Sequence, residues 1–358
     1  MFELAQSVWP RFGGDQANRS RVPVPGPHTT PRWHTISLAN AHENSKHQQS
    51  SVIVMPDESL RVCSMGVLSA VKLDGTILWQ LDLSPFVRKD VVITSLFTAL
   101  SSGETLHFLV NAVLIVDARG NPSRYAALPT YDDSCSPNLT YSGLPLTVSM
   151  RGQVSVLQGT VWQPVRTDFG LDTPTPAVYN DNTLAIAGYY GTGLCRVSLD
   201  GQIYWRSSLL QADLLPTINH AQIVAGGSLN DHLSAFFAPD GKQMGEYPHA
   251  AIFAEYVDGG WIALSEQRLA RLTENGKERW SIAVNTLQYS SFDAKQPIVD
   301  RDGYIFVQQG GSLLCCDEQG HKAFEVPLPE VSKLCPISIV AHGTLAYVDQ
   351  NELFLGYA

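Results

Sequence analysis

Apolar and polar residues alternate in short runs along this chain, and many runs are broken by a residue pair ending in glycine. "VKLDGTILW" (Val71 to Trp79), "VSLDGQIYW" (Val197 to Trp205) and "LTENGKERW" (Leu272 to Trp280) are near copies of one phrase. Alternation with period two predicts strands that turn one face to a core. The X-Gly pair predicts a tight hairpin, because glycine reaches the positive φ that such turns require. Looser copies are "VDARGNPSRY", "FAPDGKQMG", "CDEQGHKAF" and a degenerate "VLQGTVW". The turn glycines are Gly75, Gly120, Gly159, Gly201, Gly241, Gly276 and Gly320, at successive spacings of 45, 39, 42, 40, 35 and 44. A period near 40 built of short strands predicts a propeller with one four-stranded blade per repeat. No 3.6-residue apolar period is sustained, so helices are not expected.

One repeat divides into "TPAVYND", "NTLAIAGYY", "GLCRVSLDG" and "QIYWRSSL", from the innermost strand to the outermost. After the last turn glycine only three strands remain, in "CPISIVAHG", "TLAYVDQ" and "NELFLGYA". The N-terminal "RWHTISL" puts Trp33 where the outer strands carry their aromatic residue. That strand is expected to complete an eighth blade, which removes the free edges of an open ring. The expected fold is therefore an all-β, eight-bladed propeller in one domain, residues 31–358, preceded by a lead-in of residues 1–30.

Charge narrows the partners. The chain has 358 residues, a formal net charge of −10 and no cluster of Lys and Arg. Nucleic acid and anionic membranes need such clusters and are not expected as partners. No apolar run approaches the length of a membrane span. The start "MFELAQSVWPRFGG" has neither basic nor hydrophobic signal regions, so a cytoplasmic location is expected. The six cysteines are scattered and are read as free thiols.

The repeat resembles the pyrroloquinoline-quinone-type repeat family, the eight-bladed quinoprotein-like propellers. The resemblance covers nearly the whole chain, and "WPRFGGDQANRS" (Trp9 to Ser20) looks like the lead-in segment found before the first blade there. The group includes quinone-dependent alcohol and glucose dehydrogenases, and cofactor-free members similar to an outer-membrane assembly factor. It implies the fold far more strongly than the function, which sits in grafted loops.

Quinone dehydrogenases of this kind carry an adjacent-cysteine disulfide on the cofactor, which makes Cys315-Cys316 the sharpest chemical signal. The pair falls in the strand "SLLCCDEQG", where adjacent side chains point to opposite faces and a bridge would break the pleat. No calcium-and-quinone set in the family's order is found, so no cofactor is expected. "DRDG" (Asp300 to Gly303) and "NDN" (Asn180 to Asn182) lack the ligand spacing of a calcium loop and read as hairpin turns. The histidines show no metal-ligand spacing, and no metal is expected. The sequons at Asn18 and Asn138 are read as coincidental. No nucleophile elbow, Walker loop, HExxH or CxxC appears.

In a propeller the connections from each outer strand to the next inner strand converge on one mouth of the channel, where functional residues gather. These connections include "SLANAHENSKHQQS", "SPFVRKDVV", "PTYDDSCSPN", "LLQADLLPTINH", "YPHAAIFAEY", "TLQYSSFDAKQP" and "LPEVSKLCP". They nominate Asp132, His220, Glu255 and Asp293 for acid–base chemistry. They nominate Arg88, Asp90, Tyr131, Asp133, Tyr256, Lys295, Lys333, His42 and His47 for ligand contact, with Lys89, Asp168 and Asp213 nearby. His42 and His47 lie on the most polar connection, which reads either as a solvated surface loop or, if the channel binds a ligand, as a lid. The expected function is binding of a small molecule, peptide or protein at the mouth. The alternatives are a cofactor-independent lyase, cyclase or hydrolase, and, third, a quinone-dependent dehydrogenase.

Overall fold

The computed structural model describes residues 2–9, 11, 14–39, 51–86, 97–109, 112–127, 138–148, 154–165, 176–188, 193–207, 209, 212–285, 296–309, 311–329 and 336–358. Eight four-stranded antiparallel sheets surround a common axis. Blade one runs Ser51–Val54, Leu60–Ser64, Val67–Val71, Ile77–Asp82, and six further blades repeat the order along the chain. First strands of successive blades touch one another and form the inner ring. The inner and middle strands of blade one are buried throughout, whereas the outer strand Ile77–Asp82 alternates between exposed and half-buried. The core therefore lies between blades rather than within one, as a stack of sheets burying both faces demands.

All seven turn glycines have positive φ, between 61° and 90°. In each of the best copies the conserved phrase joins two blades. The indole of Trp79 donates to the carbonyl of Ala118 at 2.9 Å, Trp205 to Pro239 at 3.0 Å and Trp280 to Glu318 at 2.9 Å. Each ring covers the turn glycine of the following blade, and a Cβ on Gly241 would stand 2.5 Å from Trp205. The aromatic residue of one repeat thus requires the glycine of the next.

Blade eight is composite, as the strand count predicts. Arg32–Ser37 pairs antiparallel with Glu352–Tyr357 in register Arg32 to Tyr357 through Ser37 to Glu352. The other strands are Thr344–Asp349 and the inner Ser338–Ala341. Trp33 lies edge-on to Tyr347 at 5.3 Å.

The lead-in is a structural member in its own right. Its backbone hydrogen-bonds the far ends of the inner strands, away from the outer-to-inner connections. Val54 donates to Trp9, Val178 to Gln16, Ile218 to Ala17, Glu255 to Arg19 and Val299 to Ser20, all at 2.8–3.0 Å. Contacts of Ala5 with Ala99, Asn138 with Gln16, and Gly343 with Pro25 bring in blades two, three and eight. Arg11 bridges to Thr98 of blade two and reaches Asn18, which in turn bonds Pro216 of blade five and receives Gln296 of blade seven. This segment, here called the belt, ties the inner strands of all eight blades together at that end. Asn18 and Asn138 are fully buried and donate to backbone carbonyls, so neither side chain has room for a glycan.

Candidate functional site

Two of the residues nominated for acid–base chemistry meet. His220 Nδ1 lies 2.6 and 2.7 Å from the two oxygens of Glu255, and the His220 amide donates to the same carboxyl at 2.7 Å. Glu255 is completely buried, while the His220 side chain is 66% exposed. In the tautomer with its proton on Nδ1, His220 donates to this carboxyl and its Nε2 is an acceptor. Arg19 of the belt approaches Glu255 at 3.5 Å and pairs with Asp15 at 2.8 Å. Burial is the largest single influence and would lower the Arg19 pKa, but the attractions of Asp15, Tyr141 and Glu255 together outweigh it and hold it above its ordinary value.

Their location departs from the sequence expectation. Thr217–Ile218 and Ile252–Glu255 are the inner strands, so His220 lies in the turn beyond one and Glu255 ends the other. Both sit at the belt end of the channel, opposite the mouth. The inner strands are so short that the strings "LLQADLLPTINH" and "YPHAAIFAEY" run from the mouth to the opposite end. Tyr256 is also at the belt end. Its hydroxyl donates to Gly303 at 3.1 Å and the Arg271 guanidinium lies 3.5 Å from its ring centroid, so it bolts blade six to blade seven. Burial pushes its phenol up to about 12.

Asp132, Asp293, Arg88, Lys89, Asp90, Tyr131, Asp133, Asp168, Lys295, Lys333, His42 and His47 lie outside the described residues.

The mouth carries a cleft of about 610 Å³ between blades five and six. It is built from the turn holding Leu229 and His232, the connection holding His249, the turn Ser265 to Arg268, and the end of the outer strand Glu278–Ala283. His232, His249, Glu266 and Arg268 bring both signs of charge to it. Arg268 is held by Glu278 at 2.7 Å, and Glu278 also receives Ser281 at 2.8 Å. Beside the cleft, Asp213 is 3% exposed and accepts the Leu229 amide at 2.8 Å. Burial, with Asp231 adding repulsion, raises its carboxyl above the ordinary range. The outer-to-inner connections contain Asp213 and, in "YPHAAIFAEY", His249, whereas His232, Glu266 and Arg268 sit in turns between second and third strands, which reach the same end of the ring without being part of those connections.

Cys315 and Cys316 are buried free thiols whose side chains enter different interblade clusters. Burial pushes the Cys316 thiol up to about 12 and raises Cys315 as well. Asp300 serves a turn, as read, accepting the amides of Asp302 and Tyr304, and also anchors the belt through Gly26 and His28 at 2.8 Å. Among the described residues no group of three or more His, Cys, Asp or Glu side chains gathers to hold a metal. Among them, too, no helix is long and apolar enough to cross a membrane.

No family model matches the chain, and no curated protein matches it by sequence. Solved structures do match. BamB from Moraxella catarrhalis superposes with a TM-score of 0.65 at 14% identity, over 91% of this chain and 100% of that one. Virginiamycin B lyase from Staphylococcus aureus gives 0.57 at 12% identity, over 92% and 99%. The quinohemoprotein alcohol dehydrogenase ADHIIG from Pseudomonas putida HK5 gives 0.69 at 9% identity, over 98% of this chain and 80% of that one. At these identities the likeness establishes the propeller fold.

Proposed function

We propose that this protein is a cofactor-free propeller of the quinone-type repeat group that binds a polar small molecule or a peptide at the mouth. The observation that carries the reading is the cleft of about 610 Å³ between blades five and six, on the side of the ring away from the belt. A concave site with a few ionisable groups on a rigid scaffold is the usual form of a ligand pocket. The opposed directions of Cys315 and Cys316 support the cofactor-free part, since a quinone-type adjacent disulfide would need both sulfurs together. The test is a thermal-shift screen of polar metabolites and short peptides against the wild type and the double variant His249→Ala, Arg268→Ala. Hits that stabilise the wild type and not the variant are expected. Hits that stabilise both equally would remove the cleft from the site.

A second reading, cofactor-independent acid–base catalysis, is favoured by the 2.6 Å contact of His220 Nδ1 with buried Glu255. A carboxyl that fixes the tautomer leaves the other ring nitrogen free to take a proton from a substrate. A lyase among the fold neighbours is compatible with it. Turnover of ester, amide and lactone panels should then fall in His220→Asn while the melting temperature holds. Equal turnover in both would end this reading.

A further inference from the structure

A second cavity lies beside the axis, between the inner strands of blades seven, eight and one, with Trp9 and Ser20 of the belt in its wall. It is small, about 30 Å³, which is room for roughly two waters or one group of a few heavy atoms. Its chemistry is unusual for the interior. The Gln308 side chain turns both amide atoms into buried space, and among the described residues neither Nε2 nor Oε1 has a hydrogen-bond partner. Ser20, only 1% exposed, has a hydroxyl in the same condition. Buried polar atoms left without a partner are destabilising, so each such orphan favours a ligand that satisfies it. Trp9, Ile298 and Phe306 supply apolar walls, and no ionisable side chain is among the described residues that line it.

We propose that this cavity is a binding site for a small uncharged polar group, of which a primary carboxamide is the best match. An amide side chain offers a donor and an acceptor side by side, and a second amide presents the complementary pair. The Ser20 hydroxyl adds a third contact of either sense. The aromatic walls favour a flat group, and an uncharged lining would leave a carboxylate desolvated and unpaired. This site is separate from the cleft between blades five and six and stands or falls independently of it.

Acetamide is the probe, with acetate as its charged isostere. Saturation-transfer NMR on the full chain should detect acetamide bound to the wild type, with acetate at least about ten-fold weaker. Gln308→Leu should weaken acetamide by about ten-fold or more, while Gln319→Leu on an exposed turn leaves it unchanged. Ser20→Ala is the gentler variant and should weaken it several-fold even if Gln308→Leu folds poorly. A crystal soaked in acetamide should show it against Gln308. No binding, equal binding of acetate, equal binding by both cavity variants, or ordered water that acetamide does not displace would each overturn the proposal.

Discussion

Gly241 combines two demands in one residue. Its φ is +88°, and an added Cβ would meet Trp205 at 2.5 Å. Gly103 has a φ of +83° but open space around it. The left-handed conformation alone costs an L-residue about 1–2 kcal/mol. Gly103→Ala is therefore expected to lose about 1 kcal/mol, and Gly241→Ala about 2–4 kcal/mol because the indole must also move. Urea denaturation of the two variants measures the difference. His107 is the clearest pH-sensitive residue. It is buried, its Nε2 lies 2.8 Å from the Thr105 hydroxyl, and Phe97 stacks on it at 4.8 Å. Burial, assisted by the charge of Arg61, lowers its pKa to about 3. The unfolded chain thus binds a proton near pH 6.5 that the folded chain refuses until about pH 3. Its contribution is fully present above about pH 6.5 and falls by up to about 1.4 kcal/mol per pH unit below it. His107→Gln should flatten the loss of stability between pH 6.5 and 3, which equilibrium unfolding at several pH values would reveal. The turn glycines were legible in the sequence because a backbone requirement writes itself into one residue type. The contact of His220 with Glu255 was not, since it joins two blades and depends on where two-residue strands end.

At the scale of elements, the strands and the closing of blade eight could be read from alternation and counting. The belt could not. The described residues of this segment have no period of their own, because their ladder-like backbone hydrogen bonds go outward to the inner strands, while those within the segment only close short turns around Arg11 and Asp15. Two truncations separate the belt from the closing strand. Removing residues 1–36 takes away the outer strand of blade eight, and no soluble folded protein is expected. Removing residues 1–30 leaves Arg32–Ser37 in place and should give a folded ring whose melting temperature is lower by about 10 °C or more. Scanning calorimetry distinguishes these outcomes, and an unchanged melting temperature in the shorter truncation would deny the belt its part in stability.

The molecule as a whole is held by seams rather than by a single centre. Tyr357 of blade eight donates its hydroxyl to Leu73 of blade one at 2.5 Å, across the seam between the composite blade and the first. Tyr357→Phe removes that hydrogen bond and little else, and should cost about 1 kcal/mol. Chemical denaturation should still show one transition, because loosening one seam exposes both adjoining blades. The mouth was less legible than the ring. Its composition is that of any solvated rim, and its cleft comes from turns on two blades that are far apart in the repeat phrase.

Ribosomal synthesis delivers the belt before every blade and its last partners after seven of them. Trp9, Gln16 and Ser20 leave the exit tunnel before any inner strand exists to receive them, and Gly343 and Tyr357 emerge after more than 300 intervening residues. Blades one to seven must therefore assemble as an open arc with exposed strand edges, waiting for a terminal pairing of maximal sequence separation. Such long-range contacts fold slowly and leave intermediates prone to aggregate. The demand on chaperones should fall on this interval, between the appearance of the seventh blade and the return of the N-terminal strand to the eighth.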